Sequence, residues 1–144
     1  MRDLEHARQM LALAHKDLKA LRGMLDAEVF DDAIFGFHAQ QTVEKSLKAW
    51  LSSAGIAYSK IHDLEELFML LEKNGQHIPD HFNNLADLTD FAVQFRYELF
   101  DYFEAGLDRA ETIDQVAKFS QYVEQIIVNA ESEGENDDDD DKLN

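Results

Sequence analysis

Pro79 is the only proline in the chain, and on both sides of it apolar residues return every third or fourth position. At 100° per residue that spacing gathers them on one face of an α-helix. From Asp3 to Arg22 the face is Leu4, Ala7, Leu11, Ala14, Leu18 and Leu21. Strand patterning is scarce, so the expected class is all-α. Short connections then favour an up-and-down antiparallel bundle of four to five helices. A length of 144 residues fits one domain with a sizeable core.

Four more helices follow. The second is expected from near Glu28 to Ala54, with Gly55 just past its end, as the spine of the bundle. The third starts after Asp63, where "DLEE" has the form of a capping box with Asp63 as N-cap and Glu66 three positions later. The fourth follows "IPD", with Asp80 in its first turn. The fifth is expected at "TIDQ", with Thr112 as N-cap and Val116, Ser120, Val123 and Ile127 facing inward.

The net charge is −17, and part of it is local. Residues 131–144, "ESEGENDDDDDKLN", hold eight acidic residues and one lysine. They are expected to form a solvated, disordered tail or a cloning remnant, since "DDDDK" matches the recognition sequence of enteropeptidase. Residues 1–130 are the expected bundle. Their acidity argues against broad DNA binding and leaves room for a local basic site. No cysteine is present, so thiol chemistry is excluded. No apolar run suits a membrane span or a signal peptide, and the expected location is cytoplasmic.

Two places break the apolar pattern. In "LADLTDFAVQFRYELFDYF", Leu85, Leu88, Ala92, Phe95, Leu99 and Phe103 form a stripe, and Arg96 falls inside it. In "VFDDAIFGFHAQQTVEKSLKAWL", Gln40, Gln41, Glu44 and Lys48 interrupt the face of Phe30, Ile34, Phe37, Leu47 and Leu51, with His38 and Lys45 flanking them. A guanidinium stays charged and must find acceptors or water, and Glu44 is the natural partner for Arg96. A structural ion pair and an open polar cleft both satisfy that demand.

Other chemistry is poorly supported. His77 and His81 flank Pro79, which breaks the helix that would unite them, so no metal is expected. No Glu-x-x-His pair, phosphate loop or nucleophile elbow occurs. No cofactor is implied.

"FHAQQTVEKSLKAWLSSAGIAYSKIHDLEELF" followed by "LTDFAVQFRY" resembles the HEPN family, the higher-eukaryote and prokaryote nucleotide-binding domains. The residues that carry the resemblance are Ala39-Gln40-Gln41, Glu44-Lys45, Leu47-Lys48, His62-Asp63-Leu64 and Arg96-Tyr97. The resemblance implies a helical bundle, commonly a homodimer. Many bacterial members are encoded beside a minimal nucleotidyltransferase in toxin–antitoxin or substrate-binding pairs. Active members are metal-independent ribonucleases with an Arg-x4-6-His motif near the dimer interface. Here Arg96 is kept, but positions 101–103 read Asp-Tyr-Phe and no histidine follows His81. Without that imidazole the usual acid–base catalyst is missing.

The expectation is therefore a nucleotide- or nucleotidyltransferase-binding protein, one half of such a pair, non-catalytic or weakly active because the ribonuclease histidine is missing. Its binding residues would be Arg96, Glu44, Gln41, Lys45, Lys48, His38 and Tyr97, with Arg96 also the catalytic residue should RNA be cleaved. The alternatives are a ribonuclease toxin with an altered motif, acting on RNA, and a purely structural helical dimer.

Overall fold

A computed structural model describes residues 2–91 and 107–142, with side chains as far as residue 134. Arg96 and Tyr97 lie outside the described residues, as does the stripe beyond Phe91. Helices α1 (Leu4–Arg22), α2 (Asp32–Ser53), α3 (Leu64–Lys73) and α4 (Arg109–Lys142) are joined by loops and by a 3₁₀ helix over Asp80–Leu88. No strand occurs among the described residues. The chain is an all-helical bundle, as the periodicity predicts.

The expected face of α1 is the observed one: Ala7, Leu11, Ala14, Leu18 and Leu21 are all buried. Asp3 caps the helix by accepting the His6 N–H at 2.9 Å. The Asp3 N–H in turn donates to the Ser52 carbonyl at the end of α2 (2.9 Å), so α1 and α2 run antiparallel. Arg109 at the start of α4 touches the α1–α2 connection, whereas Glu131 and Glu133 further along α4 pair with Arg8 and Arg2 of α1. Helix α4 thus runs antiparallel to α1 and alongside α2 in the same direction.

Helix α2 is the spine. It packs on α1, α3, α4 and the 3₁₀ helix, and it buries residues on nearly every side. Trp50 is enclosed in an aromatic cluster with Phe119 (centroids 6.5 Å apart) and Tyr122 (5.6 Å), to which Phe82 and Phe68 add their rings. Its indole N–H donates to Gln76 Oε1 at 3.1 Å. At Gly36 the helix has no room for a side chain: a Cβ there would stand 2.2 Å from the Phe91 ring.

Three boundaries differ from the sequence expectation. Helix α2 starts at Asp32, not near Glu28, because Asp26 organises a turn. Its carboxylate accepts the Glu28 N–H (2.9 Å), its carbonyl accepts the Phe30 N–H (3.0 Å), and Asp31 is then extended. The segment after Pro79 is 3₁₀ rather than α-helical over Asp80–Leu88. Asp, His, Phe and Asn are weak helix formers, and the threefold repeat aligns Phe82, Leu85 and Leu88 toward the core. Helix α4 begins at Arg109 with Asp108 before it. Asp108 Oδ1 accepts the Glu111 N–H (3.0 Å), and Thr112 is not an N-cap but donates its hydroxyl to the Asp108 carbonyl (2.8 Å). The α3 cap is as expected, with Asp63 Oδ1 accepting the Glu66 N–H at 3.3 Å.

Helix α4 continues through Lys142, so the acidic segment begins on a helix. Its first residues take part in packing: Arg8 grips Glu131 through Nε (3.0 Å) and an amino nitrogen (2.5 Å).

Candidate functional site

The interruption on α2 resolves into two groups of side chains. Three to four residues along a helix return to one face. Gln40, Glu44 and Lys48 accordingly form a single buried row. Gln40 donates through Nε2 to Glu44 Oε1 (3.0 Å) and to the His62 carbonyl (3.3 Å), and its Oε1 accepts from Gln41 Nε2 (2.7 Å). Glu44 receives Lys48 Nζ at 3.4 Å, and His62 Nδ1 also lies 3.4 Å from its carboxylate. A buried carboxylate survives only with such company, since an unpaired one loses its hydration without replacement.

His38 and Lys45 turn the other way. Both meet Asp17 of α1, His38 through Nδ1 at 3.2 Å and Lys45 through a direct ion pair. They stitch α1 to α2 and do not join the Glu44 row.

The row opens at one end. His6, Lys48, Ser52, Tyr58, Lys60 and His62 line a cavity of about 740 Å³ formed by the start of α1, the end of α2 and the loop that follows Gly55. The loop can turn there because Gly55 adopts φ +74°, the left-handed region open to glycine. His6 Nε2 and the Tyr58 hydroxyl are 2.8 Å apart, and the Lys48 ammonium sits over the Tyr58 ring, 5.6 Å from its centroid. Burial, reinforced by the charges of Asp3 and Glu44, raises the Tyr58 phenol above its ordinary pKa, while a hydrogen bond with Ser52 opposes the shift. Tyr58 is therefore a neutral hydroxyl at physiological pH.

This cavity gathers ammonium groups, hydroxyl donors and two imidazoles beside the Asp3 carboxylate, a recess rich in hydrogen-bond donors. Among the described residues no group of His, Asp or Glu is placed to hold a metal ion, and no helix is long and apolar enough to cross a membrane. His81 packs its ring on Phe82, with centroids 4.1 Å apart.

Two features escape a reading of the sequence. His62, Tyr58 and His6 join Lys48 only because the loop folds back over the end of α2. The "HDL" at His62–Leu64 is the one signal among them. The second is Arg109, buried at the first position of α4. Its guanidinium donates to the Met24 carbonyl (2.6 Å), the Phe30 carbonyl (2.6 Å) and Asp32 Oδ1 (2.8 Å), and it lies over the Phe35 ring at 4.9 Å. A cation at a helix N-terminus opposes the macrodipole, and that misplacement was its signal.

The family model for the HEPN domain matches residues 7–132. No curated protein and no solved structure matches the chain.

Proposed function

The chain belongs to the HEPN domain family, and from that premise we propose that it binds a nucleotide or a nucleotidyltransferase as the non-catalytic half of a HEPN/minimal-nucleotidyltransferase pair of toxin–antitoxin type. One observation supports this above the others. Glu44, Gln40 and Lys48 are kept buried and hydrogen-bonded in the middle of the spine helix, next to a recess rich in donors. Apolar residues in place of a buried ion pair are often as stabilising or more so, and the presence of these polar groups fits a site that Glu44 and Gln41 orient and Lys48 serves. Arg96 and Tyr97 are proposed as further contacts, and a homodimer as the working assembly. Ribonuclease activity is not proposed, because no histidine follows His81 to act as the acid–base partner of Arg96.

The test is co-purification with the product of the adjacent gene, followed by mass spectrometry of any bound nucleotide. Recovery of a nucleotidyltransferase or a nucleotide is expected. Growth arrest on expression together with cleavage of RNA by the purified protein would overturn the non-catalytic reading. Failure to recover a nucleotidyltransferase would overturn the pairing, and failure to recover a nucleotide as well would overturn the binding reading.

A further inference from the structure

The recess contains more than the α2 row requires. Lys48 has three donors, and among the described residues its hydrogen-bond acceptor is Glu44 at 3.4 Å, a long contact for an ion pair. Two imidazoles from different elements, His6 of α1 and His62 beside α3, border the same space. Among the described residues the fixed charges that face them cancel. Asp3 from α1 and Glu44 from α2 balance Lys48 from α2 and Lys60 from the loop, while Asp63 is turned to cap α3 and Tyr58 is neutral. The cavity is therefore close to uncharged with neutral histidines and carries two positive charges when both are protonated. The chain around it is strongly acidic, so this is a local reversal of sign.

Shape narrows the ligand. A volume of about 740 Å³ lies within the range of roughly 300–1,000 Å³ that small-molecule sites occupy. That is room for one nucleotide. Ile56 and Ala57 add an apolar wall suited to a base. The His6 and Tyr58 rings lie nearly parallel, 28° apart with centroids separated by 6.3 Å, which holds the imidazole in place.

We propose that this cavity seats the phosphate of a mononucleotide, with Lys48 as the permanent cation and His6 and His62 as cations supplied by protonation. The proposal deepens the nucleotide-binding half of the function above and rests on it. Among the described residues the site is assembled by α1, the end of α2 and the 55–62 loop.

Titration calorimetry of the full chain with AMP, and with sulfate as a second probe, at about pH 6 and about pH 8 tests this, because imidazoles change charge across that interval. Sulfate keeps its charge throughout, so any tightening belongs to the protein. Sulfate affinity should rise by about tenfold or more toward the lower pH, the effect of one favourable charge interaction of ~1.4 kcal/mol. Lys48→Met should weaken AMP by about tenfold or more at both pH values. His6→Gln and His62→Gln should each flatten the pH dependence, and they keep the proposal testable should Lys48→Met fail to fold. No AMP binding at either pH, or binding that none of these changes moves, would overturn it. Co-purification reads the pairing separately. A recovered nucleotidyltransferase with no AMP binding overturns the phosphate seat alone. AMP binding without a partner supports the seat and overturns the pairing.

Discussion

Replacing Arg109 by alanine should be among the most damaging single changes in the described part of the chain. The guanidinium is buried and forks onto three acceptors, two of them main-chain carbonyls at 2.6 Å. Hydrogen bonds to a charged group contribute about 1.5–3 kcal/mol each. The Met24 and Phe30 carbonyls would lose theirs, while Asp32 is partly exposed and would be rehydrated at little cost. Relief opposes this loss. The arginine is itself desolvated, its Nε has no partner among the described residues, and it stands at the positive end of α4. The net loss should be about 3 kcal/mol. Urea denaturation followed by circular dichroism reads it directly. With a slope of ~1.5 kcal/mol/M the midpoint falls by about 2 M at unchanged slope. Arg109→Lys keeps the charge but cannot fork, so it should restore less than half of the loss. Asp32→Asn should cost under about 1 kcal/mol, since that end of the pair meets solvent. A loss below about 1 kcal/mol for Arg109→Ala, or full rescue by lysine, would refute the reasoning. Water would then be serving the two carbonyls as well as the fork does.

Three further outcomes are expected. Gly36→Ala, which in an open helix would stabilise, should instead cost about 1–3 kcal/mol in a thermal melt, because the new Cβ would stand 2.2 Å from the Phe91 ring. Glu44→Leu and Lys48→Met should each destabilise by roughly 3 kcal/mol, and the double variant should recover most of that in a denaturation cycle. Removing residues 135–144 should leave the thermal midpoint unchanged. Cutting at 131 removes the exposed Arg8–Glu131 pair and should cost no more than about 1 kcal/mol. The hydrogen bond from Arg8 holds the Glu131 carboxyl below its ordinary pKa. The small contribution is thus whole at neutral pH and lost as the pH falls through that lowered value, so the two truncations should converge in acid.

Wherever the apolar spacing was regular the helices were legible, and so was the α3 cap, written as Asp63-x-x-Glu66. The same rule could have placed the start of α4: "DRAE" at Asp108–Glu111 has the capping form, and "TIDQ" lies one turn later. The 3₁₀ helix was not legible, because Phe82, Leu85 and Leu88 satisfy a three-residue repeat and an α-helical stripe equally well. Of the candidate site, Gln40, Gln41, Glu44 and Lys48 could be found because each is polar where the wheel points inward. That His38 and Lys45 belong to Asp17 could not, since helix spacing says nothing about which neighbour a flanking residue meets. The cavity was invisible for a related reason. His6 and Tyr58 are 52 positions apart, and only the return of α2 to the start of α1 unites them.

The meeting of Arg2 with Glu133, 131 positions apart and 3.1 Å between charged atoms, makes the bundle nearly a closed ring. Loops tolerate re-opening where the backbone is exposed and makes few contacts, and proteins with adjacent ends accept circular permutation. The turn at Gly75 is such a place: it is exposed, and none of the described residues comes within 4 Å of where its Cβ would be. A permuted chain with residues 134 and 2 joined by a short flexible link, and new ends opened at Gly75, would leave no chain end beside the Asp3 that borders the recess. It would also free that side from an N-terminal affinity tag, which on the present order would precede Met1, close in sequence to the Asp3 that borders the cavity.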